Sequence, residues 1–349
     1  MAQQPVSYDQ AREALDVFLK SGSNYAEAAR ASGIARSTIQ NRVAAARALY
    51  GLGEPAERPF VVPPLPDKDE PLEALLERRR ATAERVIQAS EARELIPVRL
   101  TMSGPVGIWL CGDPHLDNDG CDFNRLEADL ATVANQPRIL AINAGDVTDN
   151  WVGRLERLYA SSSVKAADGW RLAEWLFSYP GIHWLGLVGG NHDAWSGHRD
   201  PLKWITKGRV ALYENDVLRL ALHHPNGEQT RIHGRHNFKG NSQWNDMHGL
   251  KKESMIGWRD HLLFCGHLHL GEDGGFINPD GFVTQMIRLS GYKRADSYAV
   301  QGQFKSKPLH PSALVIINPD KPDSERGRVW VAPDIAEGVD YLKFLARKA

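Results

Sequence analysis

Apolar positions in the first fifty residues recur at helical spacing. Over Tyr8–Lys20 they fall at Ala11, Ala14, Leu15 and Phe18, one stripe of a helix. A Ser-Gly-Ser-Asn turn, a short helix over 25–31, a turn at Ser32-Gly33 and a third helix over about 36–50 follow. The stretch 53–71 is proline-rich and polar, which predicts a semi-rigid linker. Helical periodicity returns over about 72–95, where Leu72, Leu75, Leu76, Ala83, Val86 and Ile87 stand among many Glu and Arg. Packing of that stripe on the body of the protein is expected in preference to self-pairing. Further on, the apolar runs Val106–Cys111, 139–144, 182–188 and Leu262–Cys265 read as buried strands. The segments 282–289, 313–317 and 328–331 read as strands between Gly, Pro and Asp turns, and 334–348 as an amphipathic closing helix. The expected organisation is a small all-α unit (1–52), a linker (53–71), a connecting helix (72–97) and an α/β domain (98–349), with no internal repeat.

Composition narrows this picture only slightly. The 349 residues hold 42 Lys and Arg against 43 Asp and Glu, so no global positive field advertises nucleic acid or membrane. Any nucleic-acid surface must be local. Three cysteines, Cys111, Cys121 and Cys265, are too few for a disulfide scaffold and fit a reducing cytoplasm. The N-terminus Met1-Ala-Gln-Gln-Pro lacks signal-peptide features, and no apolar run is long enough to span a bilayer, so no membrane partner is expected.

Five blocks carry candidate chemistry: Gly112-Asp113-Pro114-His115, Gly145-Asp146, Gly190-Asn191-His192-Asp193, a His-bearing stretch with His233 and His236, and Gly266-His267-Leu268-His269. Four of them follow predicted buried strands, placing polar groups where strands give way to loops. Asp, Asn and His without any Cys favour divalent metal, and the donors are too many for one tetrahedral centre. Two ions are expected.

The order D-x-H, G-D, G-N-H-D, H, G-H-x-H resembles the calcineurin-like metallophosphoesterase superfamily over roughly residues 106–269. The resemblance implies an α/β fold, a two-sheet β-sandwich flanked by helices. It implies that Asp113, His115 and His269 hold one ion, that Asn191, His267 and the fourth-block His hold the other, and that Asp146 bridges them. Mn²⁺ is the expected ion, with Fe, Zn, Mg or Ni as alternatives, and a bridging hydroxide the expected nucleophile. His192 would orient the phosphate and protonate the leaving group, with Asp193 hydrogen-bonding it or a ligand. In the fourth block, His233 precedes Gly. His236 lies in Arg235-His236-Asn237-Phe238-Lys239-Gly240, which resembles a run in phage and prophage metallophosphoesterases. His236 is favoured and His233 is the runner-up. Arg235 and Lys239 are candidate phosphate contacts. Asp117, Asn118, Asp149 and Asn150 are candidate supporting residues, and Trp195 and Trp244 candidate stacking platforms.

Residues 28–42 look like a helix-turn-helix motif. Gly33 suits the turn, and Ala29, Ile34, Ile39 and Val43 are expected to pack its helices. Arg36, Ser37, Thr38, Gln40, Asn41 and Arg42 would face phosphates and bases. The mixed charge of the segment leaves a protein-binding or orienting module as the alternative.

The leading functional expectation is a phosphodiesterase or nuclease acting on nucleic acid. The alternatives are a phosphatase or small-molecule phosphodiesterase, and a non-enzymatic DNA-binding regulator. The string Gly145-Asp146-Val147-Thr148-Asp149-Asn150-Trp151 lacks the Arg-Gly pair of the serine/threonine protein-phosphatase branch, which counts against a protein phosphatase.

Overall fold

The computed structural model describes residues 6–52, 68–196, 200–240, 242, 244–294, 309–332 and 334–348. Most of the expected linker, 53–67, lies outside the described residues. The chain divides into two compact units, Met1–Glu77 and Arg78–Ala349.

The first unit is a three-helix cluster: α1 (Tyr8–Lys20), α2 (Tyr25–Ser32) and α3 (Arg36–Ala48). Ser7 and Gln10 form a reciprocal capping box at the start of α1, and Asn24 caps α2. Gly33 ends α2 at φ 67°, the left-handed conformation that lets the chain reverse into α3. Ala11, Ala14, Leu15, Phe18, Ala28, Ile39, Val43 and Ala46 form the core. Ile34 packs partly against it, but Ala28 fills the position expected of Ala29, one residue around the helix.

Helix α4 (Leu72–Glu94) runs for 23 residues with no buried side chain. Val86 and Ile87, on the part of the helix within the second unit, are exposed, so the packing expected of this stripe is not formed there. The helix also stops short of the expected residue 97. Pro97 restricts Ile96 to extended backbone, and β1 (Ile96–Arg99) pairs parallel with β6 (Leu218–His223).

Two six-stranded mixed sheets, flanked by helices, make up the second unit. In the first sheet β1 and β6 are followed by β7 (Gln229–Gly234), β8 (Leu262–Cys265), β10 (Val283–Arg288) and β9 (Glu272–Ile277). The second runs β12 (Val329–Ala332), β11 (Ser312–Ile317), β2 (Val106–Cys111), β3 (Ile139–Asn143), β4 (Trp184–Val188) and β5 (Val210–Glu214).

Strand β2 is buried on both faces. Its alternate residues Val106, Ile108 and Leu110 enter the core between the sheets with Ile232, Phe264 and Ile287, while Trp109 and Cys111 enter the core under the helices. That outer core takes Leu126 and Leu130 from helix Phe123–Val133 and Val339 and Leu342 from helix Ile335–Ala346. On the far side of the first sheet, helix His248–Ile256 packs Leu250 against Leu263, Cys265 and Met286. Strands β2, β3 and β4 are mutually parallel, as are β7 and β8, so within each sheet the loops leaving these strands share one edge. Among the described residues no helix is long and apolar enough to cross a membrane.

Candidate metal centre

Four of the sequence blocks begin where one of these strands ends, and the fourth in order begins inside β7 and runs past its end. Asp113 and His115 follow β2, Asp146 follows β3, Asn191 and His192 follow β4, His236 follows β7, and His267 and His269 follow β8. The glycines ahead of the blocks are required by close approach. A Cβ on Gly190 would collide with Asp146 Oδ1, and one on Gly266 with Asp113 Oδ2.

The backbone of this region is strained. Asp113, His115, Asp146, His267 and His269 all have positive φ, between 43° and 72°. Side chains other than glycine rarely adopt that conformation, and clusters of it mark sites where function dictates geometry.

The side chains converge in three overlapping groups: Asp113, His115 and His269; His115, Asp146 and His192; Asp146, His236 and His267. Within each group the candidate ligand atoms lie within 4.8 Å of one another. Asp146 Oδ2 is the focus, 3.1 Å from His236 Nε2, 3.8 Å from His192 Nε2 and 4.0 Å from His115 Nε2. The other oxygen, Oδ1, accepts the His192 backbone N–H at 2.9 Å. Asn191 Oδ1 lies 3.1 Å from His236 Nε2, and His267 Nδ1 3.1 Å from the same nitrogen.

Electrostatics match this geometry. Burial alone would raise the Asp146 carboxyl, but His236 and His192 beside it hold it well below the usual range. Burial would lower His236, yet Asp146 and Asp113 push it up to about 10. Burial raises Asp113 to about 7, with repulsion from Asp146 adding to it. Burial lowers both His115 and His267, the latter to about 4, which keeps their imidazoles neutral and available as ligands.

The donor set fits divalent cations that take nitrogen and oxygen ligands. Among the described residues, Asp113 Oδ1 and both ring nitrogens of His115 are buried and make no aligned hydrogen bond. His115 Nδ1 does lie 2.7 Å from Asp149 Oδ1, close in distance but off the line of a hydrogen bond. Buried polar atoms aimed into such a cluster are what a bound cation would satisfy.

The fourth block divides in space. His236, beyond the end of β7, enters the cluster, with Nδ1 2.8 Å from Ala144 O. His233, inside β7, does not. It is fully buried against Phe238 and Trp258, with Nδ1 3.6 Å from Asp260 Oδ2. Arg235 donates Nε to His233 Nε2 at 3.2 Å and lies over Phe238, so it is engaged away from the cluster. Lys239 is exposed.

Supporting contacts surround the cluster. His192 Nδ1 is 2.5 Å from the Asp149 carbonyl, to which it donates, directing Nε2 towards Asp146. Asn150 Nδ2 donates to His192 O. Asn118 donates to Asp149 Oδ2 at 2.7 Å, and Asp149 N donates to Asp117 Oδ1 at 2.6 Å. Trp195 lies 4.1 Å from the His192 ring, whereas Trp244 is 94% exposed.

Two residues near the site were not foreseen. Lys293 Nζ sits 3.4 Å from Asp149 Oδ1 and helps hold His115 neutral. Arg288 is buried beneath the fifth block. The only signal for Arg288 was a basic residue inside an otherwise apolar strand end, Met286-Ile287-Arg288-Leu289. Of the expected DNA-facing residues on α3, Arg36, Ser37, Gln40 and Asn41 are exposed, and Thr38 and Arg42 half-buried.

No protein-family model matches this chain, and no curated protein matches it. Among solved structures, a single-mutant Vps29 from Entamoeba histolytica is 13% identical over 65% of this chain and 97% of that one, with a TM-score of 0.35. The calcineurin-like phosphoesterase YfkN from Bacillus subtilis is 12% identical over 71% and 98%, with a TM-score of 0.35. The nuclease MPE from Pseudomonas putida is 16% identical over 64% and 86%, with a TM-score of 0.29. Likenesses of this degree lend none of those proteins' activities to this chain.

Proposed function

We propose that this chain is a dinuclear-metal phosphoester hydrolase of the calcineurin-like metallophosphoesterase superfamily, acting as a phosphodiesterase on DNA or another nucleic acid. The observation that carries the reading is the convergence of His115, His192 and His236 on Asp146 Oδ2. A carboxylate at that focus can serve two cations at once, with Asp113, His115 and His269 on one side and Asn191, His236 and His267 on the other.

The two ions, for which Mn²⁺ is proposed, would neutralise phosphate charge and acidify water when bound. The chain's own part is positional and acid–base. Asp146 Oδ1 holds the His192 backbone, and the Asp149 carbonyl holds its ring. His192 Nε2 then faces the cluster with room for a proton, which it would deliver to the departing alkoxide oxygen. Its side chain is 12% exposed, so it lies at the margin through which substrate reaches the deeper groups.

Nucleic acid as substrate is supported by the N-terminal unit. Its third helix presents Arg36, Ser37, Gln40 and Asn41 outward after a glycine turn, the arrangement of a helix-turn-helix recognition helix.

The test is Mn²⁺-dependent cleavage of DNA by the full chain, lost in Asp146→Asn and His192→Ala. Intact DNA under conditions where control nucleases cut would sink the nuclease reading. Parallel assays with nitrophenyl mono- and diesters would then separate a phosphatase from a small-molecule phosphodiesterase. DNA binding unaffected by Asp146→Asn, with no ester hydrolysed, would point to a regulator.

A further inference from the structure

Arg288 ends β10 and is 1% exposed, one of the largest fully buried side chains in the protein. A buried guanidinium normally pairs with a carboxylate, because desolvating an isolated charge is costly. Among the described residues no carboxylate pairs with it. Its hydrogen bonds go instead to three neutral oxygens on two loops, the one between β7 and helix His248–Ile256 and the one after β8. Nε donates to Asp246 O at 3.1 Å, and Nη1 donates to Gly266 O at 3.1 Å and to Asn237 Oδ1 at 3.3 Å.

Both loops carry candidate ligands. Asn237 follows His236 directly, and Gly266 precedes His267 directly. The two imidazoles meet at 3.1 Å, Nδ1 of His267 to Nε2 of His236, although they leave different strands. Arginine suits such a task, since its planar fork donates in several fixed directions at once.

We propose that Arg288 is a positioning residue that ties the loop after β7 to the loop after β8, fixing the spacing of His236 and His267 for cation binding. This inference rests on the metal-centre reading above. It assigns Arg288 no contact with substrate. Its consequence falls first on that pair: loosening the tie frees His236 and His267 on one side of Asp146.

Arg328 provides an internal control. It is also buried (2% exposed), but it pairs with Asp323 and Glu228, and among the described residues its hydrogen bonds reach none of the ligand loops. The experiment measures Mn²⁺ affinity and stoichiometry by titration of the full chain, alongside thermal melts, for wild type, Arg288→Met, Arg328→Met and Asn237→Ala. The expected result is a loss of affinity of about 10- to 100-fold in Arg288→Met, the range for outer supports of metal ligands. A smaller loss is expected in Asn237→Ala, with wild-type affinity in Arg328→Met even where its melting temperature falls. Wild-type affinity in folded Arg288→Met would overturn the proposal, as would losses in both arginine variants that merely track melting temperature. If Arg288→Met does not fold, Asn237→Ala decides: reduced affinity supports the tie, and unchanged affinity overturns it. A wild-type chain that binds no metal would mark failure of the metal-centre reading itself.

Discussion

The carboxylate of Asp193 accepts the backbone N–H of Asp146 at 2.8 Å, although the two residues leave different strands. The same carboxylate accepts from Gly190 N at 2.8 Å and Val147 N at 3.2 Å. It is fully buried, and burial together with repulsion from Asp146 raises it to about 7. Its contacts run to the backbone of the Asp146 loop and to its own turn, not to the His192 ring.

Asp193→Asn keeps the size of that support but replaces one acceptor oxygen with a donor. An N–H left unsatisfied in a buried site costs about 1–3 kcal/mol. Urea denaturation should show a loss of that order, and metal titration a weakening of about 10- to 100-fold. Wild-type metal affinity in the variant would show that the Asp146 loop holds its shape unaided.

His192→Ala should separate chemistry from metal binding. With Asp146 and the other donors intact, Mn²⁺ stoichiometry should stay at the wild-type value. Turnover of a diester with a poor leaving group should fall by about 10²- to 10⁴-fold, the usual contribution of a placed general acid. A nitrophenyl ester, whose leaving group needs little protonation, should suffer much less. Equal losses on both substrates would remove His192 from the acid role.

His236→Ala and His233→Ala should differ in kind. The first removes a cluster member, and its metal affinity should fall further than the roughly 10- to 100-fold typical of an outer support. The second should bind metal normally and lose stability, because Arg235 and Asp260 lose a buried neighbour. The reverse pattern would make His233 the ligand.

His233 should also leave a mark on acid stability. Burial lowers its imidazole to about 4 from an ordinary 6.5, with Asp260 opposing. The unfolded chain therefore binds a proton over that window that the folded chain does not. Stability should fall as pH drops from about 6.5 to about 4. Denaturant midpoints across this range should decline more gently in His233→Gln than in wild type, and parallel curves would refute the assignment.

On the third helix, Arg36→Ala and Arg42→Ala should each weaken DNA binding by the full chain. If each contacts a phosphate, the slope of log affinity against log salt should shrink by about 1 per variant. Slopes identical to wild type in both would take this helix out of the DNA interface.

The sequence disclosed the strands and loops that pattern alone can specify. Val106–Cys111 and Leu262–Cys265 are continuous apolar runs, and their strands have those bounds. Strand β9 was not legible, because Glu272–Ile277 holds two glycines and a pair of acids and exists by pairing with β10 at a sheet edge. Strand β1 was hidden by Pro97 and by the helical pattern running into it. In β6, Arg219 interrupts the apolar run; its burial is offset by a two-bond pair with Asp260, 41 residues away, which no local pattern displays. His233 and His236 were hard to rank for the same reason. What separates them is that one lies inside a strand and the other just past its end. Arg288 carried no motif, since its partners come from two loops that only the folded chain brings together.

The left-handed backbone at Asp113, His115, Asp146, His267 and His269 sets a direction for mutational drift. Glycine at any of these positions would relax the main chain by about 1–2 kcal/mol while deleting a donor. Relief of backbone strain would thus offset part of what the fold loses as the centre was dismantled, a stability–activity tension written into the main chain. A chain that retains all five carries a backbone tension that folding by itself does not require.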